Sequence, residues 1–216
     1  MNFGTLEGKF YRFCEWITKL AYINVLWILF TVVGVLFLGF FPATVSLFTI
    51  VRKWLLFHDH NFPIFKTFFK VYKQEFFKAN ALGLIFTTIF IVLYMDMLYL
   101  SNLSANIHTF FFIALSISFI LYTVTLLYIF PVYVHYNLKF FQYLKYAFLI
   151  GMANPLITSM MVITIGLLCV VFFYLPGIIP FFSVSLFALL VMTGALHAFK
   201  KVERKQEKWG SSNSET

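Results

Sequence analysis

Charge is what this chain has least of. Only 11 % of its 216 residues are charged and only eight are acidic, against roughly 25 % charged in an average soluble domain. Cysteine is almost as scarce. Cys14 and Cys169 are too few for a disulfide framework, and one lies in a basic segment while the other lies inside an apolar run. There is no Gly-rich phosphate loop, nucleophile elbow, zinc-protease motif or pair of acids within an apolar run. No hydrophilic loop exceeds about 20 residues, too few to fold a catalytic domain. The sequence therefore predicts no enzyme, no catalytic residue and no cofactor. His58-Asp59-His60 offers only half a metal site and reads as a solvated loop, so no metal is predicted either. A cleavable signal peptide is also missing. The first apolar run, from about Leu20 to Phe41, is too long for one and ends without a small-residue cleavage pattern, so it reads as an uncleaved anchor.

What the chain does contain is apolar and aromatic. Hydrophobic residues make up 62 %, with 31 Phe and 12 Tyr. All 16 basic residues fall in four short segments. These are 1–20 (Lys9, Arg12, Lys19), 52–78 (Arg52, Lys53, Lys66, Lys70, Lys73, Lys78), 139–145 (Lys139, Lys145) and 200–208 (Lys200, Lys201, Arg204, Lys205, Lys208). The other connections, near Phe41–Pro42, Ser101–Asn106 and Pro176–Pro180, carry no charge. Basic loops stay on the cytoplasmic side and short uncharged loops cross readily. The pattern predicts an all-α, polytopic protein of a bacterial plasma membrane with both termini cytoplasmic. Its net charge of +8 sits at span ends. It points to anionic inner-leaflet lipids rather than nucleic acid, at about 1 kcal/mol per basic residue near the surface.

Four spans are plain, from about Asn80 to Leu100, Ile107 to Phe130, Pro155 to Leu175 and Ile178 to Lys200. Each has the roughly 20 residues that about 30 Å of hydrocarbon requires. Between Leu20 and Phe57 both flanks are basic, so the chain crosses twice or not at all. A hairpin turning at Gly39–Pro42 predicts a short or strongly tilted second span, Ala43 to about His58, with Arg52 and Lys53 snorkelling to the headgroups. A re-entrant helix turning inside the bilayer is the alternative. The prediction is about six spans, one transmembrane domain over 1–200, and a basic then polar tail over 201–216 that is partly disordered.

Each outward span begins Asn-x-Leu, at Asn24, Asn80 and Asn154, and each inward span ends near a histidine, His58, His135 or His197. Asparagine is a preferred N-cap, so the three Asn are expected at helix starts. The implied unit, an amphipathic helix followed by a hairpin, would be used three times. Between Ile64 and Lys78, Phe65, Phe68, Phe69, Tyr72 and Phe76 recur at helical spacing with Lys66, Lys70 and Lys73 alongside. That predicts a helix lying on the membrane surface or docking on a partner, with Phe65, Phe69, Tyr72 and Phe76 as its buried stripe. Segment 138–150 repeats the pattern with Phe141, Leu144 and Phe148. Asp96 is the one acid inside a predicted span, sixteen residues beyond Asn80. That is about 24 Å along a helix and so near the outer interface. It reads as an interfacial anchor, with a proton or substrate contact as the alternative.

The first third of the chain carries a resemblance. Gly8-Lys9-Phe10-Tyr11 to Trp16, Asn24-Val25-Leu26-Trp27, Phe41-Pro42-Ala43-Thr44 and Val51-Arg52-Lys53-Trp54 together resemble the YesL-like family of bacterial integral membrane proteins. Trp27, Pro42, Ala43, Arg52 and Lys53 are the positions that match its motif most clearly. The family has no established biochemical activity, but its members commonly accompany ATP-driven (ABC) carbohydrate importers and polysaccharide-degrading enzymes. The resemblance implies an accessory or assembly partner of such an importer, in contact with its membrane subunits. No Glu-Ala-Ala…Gly coupling motif marks this chain as the permease itself. A small transporter or channel acting alone, through Asp96 and the hydroxyls of the spans, is the other expectation.

Overall fold

The computed structural model describes residues 3–57, 62–100 and 105–214, and side chains within 14–57, 62–100 and 109–204. Among these residues the fold is helical throughout: α1 Phe3–Val33, α2 Phe37–Phe57, α3 Ile64–Leu100, α4 Ala105–His135, α5 Phe140–Ala153, α6 Pro155–Tyr174 and α7 Ile179–Ser214, with a 3₁₀ turn at Pro176–Ile178. Six of them (all but α5) contain segments long and apolar enough to cross a membrane. The chain is a multi-pass helical membrane protein.

The helices form three hairpins, α1–α2, α3–α4 and α6–α7. The second arms, α2, α4 and α7, pack pairwise on one another at the centre. The first arms lie outside, and each central helix also packs against the first arm of another hairpin: α2 on α3, α7 on α1, and α4 on α5, which leads into α6. Phe48, Trp54, Tyr128, Ile129, Val132 and Met192 of these three helices are fully buried.

Three expectations change. The first concerns the second span, which is not short. It runs for 21 residues from Phe37, because the turn is Gly34-Val35-Leu36 rather than Gly39–Pro42. Val35 and Leu36 turn the chain with φ of 58° and 55°, a region that β-branched Val rarely adopts. Pro42 lies inside α2.

The second concerns the asparagines. Asn24 and Asn80 sit within unbroken helices, so neither is an N-cap. Only Asn154 precedes a proline, Pro155, whose missing N–H divides α5 from α6. Even there the Asn154 side chain makes no capping bond and donates back to Ile150 O at 3.1 Å.

The third concerns the aromatic stripe. Residues 64–78 are continuous with the span that follows, and the buried face is Phe68, Tyr72, Ala79, Leu82 and Phe86. That set recurs at steps of three, four and seven residues, the seam of helices packed side by side. Phe68 is fully buried while Phe65 and Phe69 are half exposed on its flanks. Phe76 is half-buried, and Lys66, Lys70 and Lys73 are exposed. In α5 the buried residues are Ala147, Ile150 and Gly151, and Phe141 is exposed.

Candidate functional site at the basic end of the bundle

Prolines open the helices of this protein, and asparagines close the gaps. Pro42 has no N–H to donate to Leu38 O. Asn80 Nδ2, from α3, supplies that bond at 2.9 Å and also donates to Phe76 O at 2.8 Å. Asn24, fully buried in α1, reaches across to the start of α7. Its Nδ2 donates to Pro180 O at 2.8 Å, and its Oδ1 accepts from Val184 N and Ser185 N, both at 3.0 Å. Asn24 and Asn80 thus play one role, each holding the first turns of a central helix from the neighbouring hairpin. Beside Pro155, Thr158 Oγ1 donates to Gly151 O at 3.2 Å and lies 3.0 Å from Tyr128 Oη. Trp27 Nε1 donates to Thr44 Oγ1 at 3.0 Å, which in turn donates to Phe40 O at 2.7 Å. Ala43, next to Thr44, is buried where α2 meets its neighbours.

The ends of the central helices that carry the basic residues bring separate polar groups together. Arg52 Nε of α2 donates to His135 Nδ1 of α4 at 3.4 Å, so that nitrogen carries no proton in this arrangement. The His135 ring lies 4.8 Å from Phe199 of α7 and 4.7 Å from Tyr136. Tyr136 donates to Glu203 at 3.4 Å, and Tyr133 donates to Glu75 of α3 at 2.5 Å. Burial first, then the adjacent Glu203 carboxylate, pushes the Tyr136 hydroxyl up to about 12, so it stays a donor at neutral pH. Lys53 Nζ sits 5.2 Å from the centre of the Phe62 ring.

Of the residues singled out from sequence, Arg52 joins this cluster and Lys53 lies beside it. Glu75, His135 and Glu203 were not singled out for it, although Glu75 stands alone among lysines. Asp96 is elsewhere. It is exposed near the far end of α3, twenty-one residues beyond Glu75 and sixteen beyond Asn80, which bonds α2. The described residues hold no group of three or more His, Cys, Asp or Glu that could hold a metal ion. His58-Asp59-His60 lies outside them.

A lateral groove of about 1020 Å³ opens near the same end, between α1, α6 and α7. Its walls along α6 and α7 are mostly apolar, with Thr164, Thr193 and His197 among them, and its mouth carries Lys200, Lys201 and Arg204. The exposed surface of the spans elsewhere is almost wholly hydrophobic, as lipid contact requires.

The chain is similar to known proteins along most of its length. Residues 20–97 match a family described as "Protein of unknown function, DUF624". The chain is 37 % identical over 216 residues to the uncharacterized protein YesV of Bacillus subtilis (strain 168), covering 95 % of this chain and 99 % of that one. It is 34 % identical over 198 residues to the uncharacterized protein YesL of the same organism, covering 91 % and 92 %. The chain belongs to the YesL-like family. Another relative, the uncharacterized protein YteU, is 40 % identical over 200 residues, covering 91 % of this chain and 88 % of that one. No solved structure matches. The stretch matched by the DUF624 family holds Asn24, Trp27, Pro42, Arg52 and Asn80, most of the groups that tie the first hairpin to its neighbours. The relatives of the YesL-like family extend the likeness well past the first third of the chain.

Proposed function

We propose that this protein is a non-catalytic accessory or assembly partner of a carbohydrate ABC importer in a bacterial plasma membrane, with both termini cytoplasmic. The observation that carries this reading is the filled centre. Phe48, Trp54, Tyr128, Ile129, Val132 and Met192, all on α2, α4 and α7, are fully buried. The cavity of about 400 Å³ beside Trp27 is apolar save for a few hydroxyls, and those of Thr44 and Thr123 are spent on backbone carbonyls. A space so lined stays dry. Asp96 lines neither this cavity nor the basic-end groove. A transporter needs a polar path with convergent groups, and this centre is built for packing.

The carbohydrate side of the proposal rests on the family resemblance. The basic termini support the orientation by the positive-inside rule. The cyclic packing of three hairpins is the arrangement expected if one unit is used three times. Purification in mild detergent from cells grown on an oligosaccharide tests the role. Membrane subunits of a carbohydrate importer should co-elute in near-equal amounts, and their absence would reject it.

A further inference from the structure

We propose that the groove between α1, α6 and α7 is a binding site for one anionic phospholipid, its phosphate held by Lys200, Lys201 and Arg204 and its acyl chains lying along α6 and α7. Three observations converge on that occupant. The first is charge. The three cations crowd one mouth of the groove, and none has an ion pair or hydrogen bond among the described residues. Cations gathered at the end of an apolar span demand an anion at headgroup level.

The second is length. The wall reaches from Lys200 back to Leu189 on α7, mostly apolar with Thr193 and His197 among its residues. Eleven residues of helix rise about 16 Å, close to the half-thickness of a hydrocarbon core of about 30 Å. The groove is one leaflet deep, the reach of an acyl chain. The third is the lining. Ile157, Met160 and Leu190 face the groove, and unbranched thioether chains adapt to a flexible hydrocarbon better than a rigid wall would. Gly194 lets Met161 of α6 pack directly on α7 beside the groove, since a Cβ there would meet Met161 Cγ at 2.5 Å. The site does not depend on the importer proposal, because it needs only lipid in the leaflet at the basic end.

Trp16 lines the same groove and reports on it. The full chain is placed in nanodiscs of phosphatidylcholine containing a rising fraction of phosphatidylglycerol with brominated chains, which quench tryptophan. Brominated phosphatidylcholine serves as the comparison, and Trp16→Phe identifies the Trp16 signal. The site predicts saturable quenching with a preference of about tenfold for phosphatidylglycerol. Lys200→Gln/Lys201→Gln/Arg204→Gln should abolish the preference, whereas Lys139→Gln/Lys145→Gln, which removes charge outside the groove, should keep it. These are exposed substitutions, so folding is preserved. Equal quenching by both lipids in the wild type would overturn the proposal, since the groove would then take bulk lipid without regard to headgroup charge. Preference that survives in the triple variant would overturn it as well.

Discussion

Asn24→Leu should destabilise this protein more than any other single polar replacement in α1. The asparagine is fully buried and makes three bonds to the α7 backbone, at 2.8, 3.0 and 3.0 Å. Leaving three buried backbone groups unpaired would cost about 1–3 kcal/mol each. Two effects reduce that figure. Once the side chain withdraws, Val184 N–H can turn to Pro180 O within its own helix, which rescues two of the three groups. Hydrogen bonds between membrane helices have also measured near 0.6 kcal/mol each. The balance is a loss of about 1–3 kcal/mol, or roughly 2–12 °C in melting temperature for a chain of this size. Asn80→Leu is the internal comparison. It gives up one interhelical bond, to Leu38 O, at a more exposed site, and should cost about 1 kcal/mol. Size-exclusion chromatography after heating in mild detergent reads both. If Asn24→Leu melts with the wild type, or later than Asn80→Leu, the asparagine is not the lock described here.

Phe68→Asp should abolish accumulation in the membrane, whereas Phe69→Asp should lower it only in part and Gln74→Asp hardly at all; equal loss at 68 and 69 would reject the observed seam. Asp96→Asn should leave abundance and associated oligosaccharide uptake near wild type. Loss of uptake with normal abundance would instead favour a transporter. With Cys14 replaced, a cysteine introduced at Asn102 should react with an impermeant thiol reagent in intact cells and one introduced at Lys145 should not; the reverse labelling would invert the topology.

The spans were legible because basic and apolar segments alternate along most of the chain, a pattern set by local sequence without any distant partner. The details that failed are those decided by a distant partner. Phe65, Phe68, Phe69, Tyr72 and Phe76 contain two overlapping helical stripes, and only tertiary packing selects one: Phe30 touches Phe65, Phe68, Phe69 and Tyr72 alike, but only Phe68 and Tyr72 are buried. Pro42 looks like a turn residue until Asn80 supplies the missing donor. Asn24 looks like a local cap, yet its partners lie more than 150 residues away. The Arg52–His135 contact joins residues 83 apart. No local pattern announces it, although the histidines near the ends of the inward spans mark the level at which it forms. Lys200, Lys201 and Arg204 were visible as charge, but their groove appears only when α6 folds back on α7.

The accessory role is tested most directly by uptake. A deletion strain should import a labelled oligosaccharide more slowly than its parent, and the wild-type gene should restore the rate, with the importer's membrane subunits falling and recovering in step. Uptake and subunit levels unchanged by the deletion would contradict the account.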